Sequence, residues 1–581
     1  MIYSVKSNQP QFRKVDFSPG FNVVLATRTE RSSAKDSRNG LGKSTLIDII
    51  HFLLGKKPTD RLPADQLGNW SFNMTLDLGK NKVTVTRAIS DSKKIVVSGG
   101  GDEFYKTLEK YESNGKFEMY PSQWTNILGS YHFGLDAENE ESYTPSYSSL
   151  INYFSRRNGT RGGYTDPFKQ SIKQNPYDIQ INNSYLLGLG WEFARNFHIL
   201  KDREKVLTQI KREARSGMLS NILGVIGELD SERIRLEERA SKEEFGLKSY
   251  KPLPQYDEFV KQSNSFTEGI HAALNSKKEY ELLTQAYDRN LHEEVDVDPT
   301  LVLKLYKEAE IDLPDLVKKR LEDVKEFNRL IVRNRRDFLR NEINRLQGEI
   351  IKLELQIEDY TKKRADLNSL IKSHKSQDEY EELIKLHQRT LGELENTKNR
   401  IMNMKKFDEG KRELTKDLEI LVHEANLDLE AREAKRKYAI LKYDEFSQSL
   451  YEVKGVLNIG FTNKGLELKV DIQRSGSSGI DNMKIFCYDL VIANIWAKKE
   501  NSPGFLIHDS IMFDPVDERQ KAKAMELSWE ESRKNNYQYI CMLNSDDVPY
   551  SEFSEEFKFN DFVRLDLTDA SPEGSLLGFR F

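Results

Sequence analysis

Ser37-Arg38-Asn39-Gly40-Leu41-Gly42-Lys43-Ser44-Thr45 has the residue types and spacing that phosphate chemistry requires. Glycines let the backbone curl its N–H groups around an anion, and a helix starting directly after them adds its positive end. Lys43 is then the side chain that reaches the β- and γ-phosphates of a nucleotide, and the Ser44 hydroxyl is a ligand for Mg²⁺. The usual pattern opens on glycine, whereas Ser37 stands there in this chain. A chance glycine turn before a buried helix is the bland alternative, and the strand–loop–helix order argues against it. Asp509 is the second candidate. It closes the apolar run Phe505-Leu506-Ile507-His508, where a carboxylate can share a cation with Ser44 or simply cap the next turn.

These residues need a scaffold, and its pieces are readable. Phe21-Asn22-Val23-Val24-Leu25-Ala26 reads as a strand and Leu46-Ile47-Asp48-Ile49-Ile50 as the start of a buried helix. Further strands are expected at Phe72–Leu78, Val83–Arg87, Ile95–Val97, Leu466–Ile472 and Tyr539–Leu543, while the tail holding Val563–Leu567 is apolar enough to be packed. The first ~190 residues and those after Tyr451 are therefore mixed α/β. Thr27 to Asp36, with Arg28, Arg31 and Lys35, either leans over bound phosphates or is a surface loop. Tyr147 to Phe168 interleaves Tyr153, Phe154 and Tyr164 with Arg156, Arg157 and Arg161. Such a stretch either touches nucleic acid or nucleotide, or packs its aromatics and solvates its arginines.

The totals limit what the chain can be. Its 581 residues exceed one simple core, and 31% charged against 38% hydrophobic residues suits a long, solvated helical part. A net charge of −5 excludes a global basic field for nucleic acid. Cys487 and Cys541 are the only cysteines, so neither a disulfide framework nor a Cys-x-x-Cys metal site is available. With no apolar signal core at Met1–Pro10 and no long apolar run, a soluble, cytoplasmic protein is expected, with no membrane partner.

The middle is helical text. A weak heptad pattern from about Leu200 to Gly246 is broken by Gly217, Gly224 and Gly227. Pro252, Pro254, Pro299 and Pro314 then suggest a small insert of short helical pieces. Leu339, Ile343, Leu346, Ile350, Leu353, Ile357, Tyr360, Leu367 and Ile371 follow spacings of four and three, with Arg364 out of character, and form a coiled-coil seam. Lys372–Asp378 reads as a break, after which the helical pattern resumes to about Tyr443. The second helical stretch is longer than the first, so it must fold back or kink; a plain helical bundle is the alternative for part of it.

Phe486-Cys487-Tyr488-Asp489-Leu490, Phe505–Ser510, Phe513–Gln520, Gln538-Tyr539-Ile540, Leu543-Asn544-Ser545-Asp546 and Gly578–Phe581 resemble the SMC-like branch of ABC ATPases. More closely, they resemble a bacterial SMC-like family of largely unassigned function. The resemblance implies an α/β, ABC-type P-loop ATPase head assembled from residues 1–195 and 451–581. Between these halves it implies a first coiled-coil arm at 196–246, a small helical insert at 247–330 and a second, longer arm at 331–450. It carries Asn39, Gly40, Leu41, Gly42, Lys43, Ser44 and Thr45 onto Walker A and Asp509 onto Walker B, with ATP and Mg²⁺ as cofactors. Ser478-Gly479, with Ser475-Gly476 as competitor, matches the signature that contacts the γ-phosphate bound by a second head. A homodimer around ATP follows, with DNA, an effector protein or both as partners, in anti-phage defence or DNA repair.

Two departures shape this expectation. Ser510 follows Asp509 where these ATPases have the glutamate that activates water, so Asp514, Asp517 or Glu518 must supply the base, or hydrolysis is slow. Asn544 stands where a switch histidine is usual, and it can hydrogen-bond but not titrate. His508 reads as a packed or locally bonded histidine, and Gln170 is a guess for the glutamine-bearing loop. A module that binds ATP and barely hydrolyses it is the rival expectation.

Overall fold

The computed structural model describes residues 1–27, 40–113, 116–136, 142–157, 163–215, 225–249, 254–292, 315–373, 378–472 and 478–579. Ser37, Arg38, Asn39, Arg161, Gly217, Gly224, Pro252, Pro299, Pro314, Ser475-Gly476, Arg580 and Phe581 lie outside them, as do Arg28 to Asp36. The chain divides into two compact units. One comprises Met1–His198, Leu313–Arg320 and Glu419–Phe581, the other Ile199–Asp312 and Leu321–Leu418.

The first unit is built on a sheet that neither end of the chain could make alone. Its strands run in the order Phe505–His508, Gln538–Asn544, Phe21–Thr27, Val563–Thr568, all parallel. The N-terminal strand thus sits between two C-terminal ones, pairing Phe21 with Tyr539 and Val24 with Leu565. Three of the four are apolar runs buried almost throughout, the pattern of a parallel sheet covered on both faces. Ser155 adds an isolated parallel bridge to Ile507. Helix Lys43–Leu53 is buried nearly all round. It also packs against a second, antiparallel sheet of seven strands, which includes Ile2–Ser7, Ser71–Leu78, Asn81–Ala88 and Ile95–Gly99. In Ser71–Leu78 the buried residues alternate strictly with partly exposed ones, as period-two patterning requires.

Both readings of Tyr147–Phe168 need correcting. Tyr153 and Phe154 are buried, but so is Arg156, which has no exposed surface at all. Its guanidinium forks onto Asp489 at 2.5 and 2.7 Å and donates to the carbonyls of Gly163, Pro167 and Lys169. Arg157 is 9% exposed and reaches Asp48. These two arginines are neither solvated nor turned toward a nucleic acid. The carboxylates that claim them are distant in sequence, so local spacing carried no sign of them.

The second unit also departs from expectation. Pro254–His292 is one helix rather than a set of short pieces. Pro254 occupies its first position, where proline costs nothing, and the other prolines of the stretch lie outside it. Its direction follows from side-chain pairs. Ser263 bonds Asn368 and Lys277 pairs with Glu354, so it runs antiparallel to Asp315–Ser373. Gln388 bonds Asn264, and His271 packs beside Gly392, so it runs parallel to Asp378–Ala431. Glu243 with Thr390 and Glu237 with Lys398 set Ile226–Ser249 antiparallel to that last helix. The four helices alternate in direction, as in an up-down bundle. Leu247, Val260, Ile371, Tyr380 and Ile384, drawn from all four, meet in one apolar cluster. The helices flanking residues 374–377 run in opposite directions, so the longer stretch does fold back. The first stretch, however, pairs with the returning helix, and Pro254–His292 fills the bundle beside the long one. Along Asp315–Ser373 the seam residues from Ile343 to Ile371 are buried or half-buried, while Ile351 and Leu355 on the other face are exposed.

Removing one partner of a buried ion pair leaves an uncompensated charge, which costs about 3–5 kcal/mol. Asp489→Ala is therefore expected to lose stability of that order in denaturant unfolding, and the double variant Arg156→Met/Asp489→Leu much less. Equal losses in the two would show that the pair's charge is not what matters there.

Candidate functional site

The parallel sheet brings three loops together at the carboxyl ends of its strands, where open α/β sheets form their binding crevices. The strand Phe21–Thr27 leads toward Gly40, Leu41 and Gly42. Gly42 caps helix Lys43–Leu53 in the left-handed region, with φ +101°. A Cβ there would stand 2.5 Å from the Cβ of Leu576, so both conformation and space call for glycine. The Leu576 N–H donates to the Leu41 carbonyl at 2.9 Å. The C-terminal tail thereby braces the loop from behind.

Asp509 follows the neighbouring strand but one, Phe505–His508. It is 2% exposed. Its Oδ2 accepts from the Ser44 hydroxyl at 2.7 Å, its Oδ1 from the Ser510 N–H at 2.8 Å, and its own N–H donates to the Tyr164 hydroxyl at 3.1 Å. Asn544 ends the strand between. Lys43 Nζ donates to Asn544 Oδ1 at 2.6 Å, and Asn544 Nδ2 donates to Asp547, which also meets Lys521 at 3.4 Å. Thr45 is buried on the same helix start.

Among the three carboxylates considered as a base, Asp514 shares the electrostatic neighbourhood of this cluster. Its carboxyl is held above the usual aspartate range, first by partial desolvation and then by Asp547 and Asp509, against the pull of Lys521 and Lys43. Asp517 instead caps helix Glu518–Lys534 by accepting from the Arg519 N–H, and Glu518 sits in that helix's first turn. Ser478 and Gly479 open helix Ser478–Ala497. A Cβ on Gly479 would come within 2.5 Å of the Pro515 carbonyl, and Asn482 donates to the carbonyls of Ile511 and Met512. This helix start therefore packs on the loop after Asp509. Ser478 is exposed.

Behind Asp509 lies a buried polar network. His508 contacts Tyr539 at 2.8 Å and Asp489 at 3.1 Å, and burial pushes its imidazole below the ordinary range. It is a bonded, neutral histidine that steadies the strand end. The Gln170 backbone N–H donates to Gln174 Oε1 at 2.7 Å. Sequence reasoning missed Tyr164, Asp547, Asp489 and Leu576 as neighbours of the site. Tyr164 and Asp489 lie in stretches that stood out for other reasons, but their partners Asp509 and Arg156 are hundreds of residues away.

A helix N-terminus with a lysine, a hydroxyl and a carboxylate arranged in this way can hold a phosphate chain and a divalent cation together. Among the described residues no cluster of three or more His, Cys, Asp or Glu could hold a metal by itself. None of the described helices is long and apolar enough to cross a membrane.

Residues 446–581 match a family model described as an uncharacterised protein conserved in bacteria, DUF2326. The chain is 21% identical over 605 residues to the uncharacterized protein YydD of Bacillus subtilis (strain 168), covering 97% of this chain and 96% of that protein. Among solved structures it is similar to the Smc head domain with a coiled coil and joint derived from Pyrococcus yayanosii. That match has 15% identity and a TM-score of 0.34 over 95% of this chain and 93% of the other. It is also similar to the recombination mediator protein RecF-ATPrS of the RecFOR pathway, with 9% identity and a TM-score of 0.28 over 94% of each chain.

Strain and overpacking at a position like Gly42 each cost about 1–3 kcal/mol. Gly42→Ala should lower unfolding stability by that order, whereas Gly40→Ala, with nothing within 4 Å of an added Cβ, should change it little. Similar effects in chemical denaturation would mean that the Leu576 brace is not tight.

Proposed function

We propose that the chain is an SMC-like ATPase switch: its heads dimerise around ATP and Mg²⁺, and its helical part reports nucleotide state to DNA, an effector protein or both. The observation that carries the reading is the 2.7 Å contact of Ser44 with Asp509, made between residues 465 positions apart at the ends of strands in one sheet. Two hard oxygens at that spacing, beside a glycine cradle that a Cβ would fill, fit a magnesium–nucleotide complex. Ser44 and Asp509 would hold the cation, which when bound offsets charge on the β- and γ-phosphates.

The chain's own residues then do the following. The N–H groups from Gly42 onward receive the phosphates, and Lys43 exchanges Asn544 for a phosphate oxygen. Asn544, still held by Asp547, is released to bond the terminal phosphate or a water beside it. Asp514 takes the proton of the attacking water in place of the glutamate that Ser510 replaces. The exposed Ser478 and the helix start behind it offer donors to the nucleotide of a second copy. A cytoplasmic setting and a role in anti-phage defence or DNA repair complete the reading.

Ser510 favours a second reading, in which ATP binds and drives dimerisation with little hydrolysis. A serine without a partnered base cannot activate water at neutral pH.

ATP turnover by wild type, Lys43→Ala and Asp509→Ala tests the first reading. Both variants are expected to fall at least about a hundredfold, and equal turnover in all three would sink it. Robust multiple turnover by wild type eliminates the second. Asp514→Asn should keep ATP binding and lose turnover. Because the Asp514 carboxyl is raised and acts deprotonated, wild-type turnover should fall on acidification at a pH above the ordinary aspartate range of about 4. An acid limb unchanged in Asp514→Asn would assign the base elsewhere.

A further inference from the structure

Arg364 is the one residue that breaks the seam of helix Asp315–Ser373, and the reading above gives it no task. It is half-buried and lines a cavity of about 420 Å³ between its own helix, Pro254–His292 and Asp378–Ala431. Lys385 lines it as well, and neither cation has an ion-pair or hydrogen-bond partner among the described residues. Elsewhere the same bundle stitches its charges together, as in Lys277–Glu354 and Lys398–Glu237. The Asn275 Nδ2 donor is buried and has no hydrogen-bond partner among the described residues. The one acid that lines the cavity, Glu393, is already claimed by Arg389, which lines it too, at 3.2 Å.

His271 completes the wall. A Cβ at Gly392 would meet its ring at 3.1 Å, so a glycine on the neighbouring helix lets the imidazole lie against the backbone. Burial and the Arg364 charge both push that imidazole below its ordinary range. A heptad seam gains nothing from a guanidinium set beside a second cation and an unpaired amide donor. An acceptor-rich, negatively charged occupant satisfies all of them at once.

We propose that this cavity binds a small oxyanion, held by Arg364 and Lys385 with His271 and Asn275 as further donors. The ligand is inorganic phosphate or the phosphate group of a small phosphoester. The site belongs to the helical bundle and does not depend on the nucleotide reading of the P-loop.

The test uses the full chain carrying Lys43→Ala in every sample, so that P-loop anion binding is weakened and what is left of it is common to all variants. Sulfate, inorganic phosphate and ribose 5-phosphate are titrated by calorimetry and thermal unfolding against sodium chloride at matched ionic strength. Sulfate and phosphate are expected to raise Tm beyond the chloride control. Adding Arg364→Leu, which suits a heptad seam, should weaken binding about tenfold or more, as expected for losing a charged hydrogen-bond partner. Lys385→Met, on an exposed side chain, should weaken it as well and guards against misfolding of the first variant. Tighter binding of ribose 5-phosphate supports the phosphoester, and binding of inorganic phosphate alone supports the free anion. Anion responses that are the same with and without Arg364→Leu and Lys385→Met overturn the proposal.

Discussion

The pairing of Phe21–Thr27 with strands from the far end of the chain is the constraint on which the rest depends. A parallel strand cannot be satisfied by a hairpin neighbour, and this one lies between Gln538–Asn544 and Val563–Thr568. Its N–H and C=O groups therefore find partners only when residues beyond 500 return to it, and buried backbone groups left unpaired are costly. The register of that pairing aims three strand ends at one crevice, and with them Lys43, Asn544 and Asp509. The long intervening chain is a mild obstacle, because closure entropy grows only by about 0.6 kcal/mol for each doubling of loop length.

The site is held by groups that do not face it. Leu576 braces the loop at Gly42, and the Arg156–Asp489 pair, with His508 and Tyr539, underlies the strand end that carries Asp509. Asp489 lies on the helix that Ser478 begins, so that helix and the Asp509 strand are tied through one buried charge pair. Such a pair is tolerable in a dry interior only when its remaining donors are also met, and the carbonyls of Gly163, Pro167 and Lys169 meet them. The aromatic and arginine-rich stretch is thus internal framework. Composition alone pointed toward a surface.

In the helical unit the heptad seam was legible because a period of three and four reports directly which face is buried, and Ile343 to Ile371 behave accordingly. The partners of that seam were not. The prolines around Pro254–His292 suggested interruption, yet position within a helix decides what proline does. The polar pairs that set helix direction, Ser263 with Asn368 and Gln388 with Asn264, have no periodic signature. Arg364 could be singled out from spacing alone, but its unpaired state and its cavity required the neighbouring helices.

By itself the sequence determined the local elements: the strand before the glycine loop, the buried helix after it, the apolar strand ending in Asp509 and the coiled-coil seam. Each of these rests on short-range sterics or periodicity, which a single stretch of chain carries within itself. It also offered Lys43, Ser44 and Asp509 as candidates to hold a phosphate and its cation, and the family resemblance added Asn544. Only the tertiary structure decided that Ser44 meets Asp509, that Lys43 meets Asn544, that Leu576 closes on Gly42 and that Arg156 is spent on Asp489. Those contacts join residues far apart in the chain, and their geometry is set by strand register and by the burial of charge.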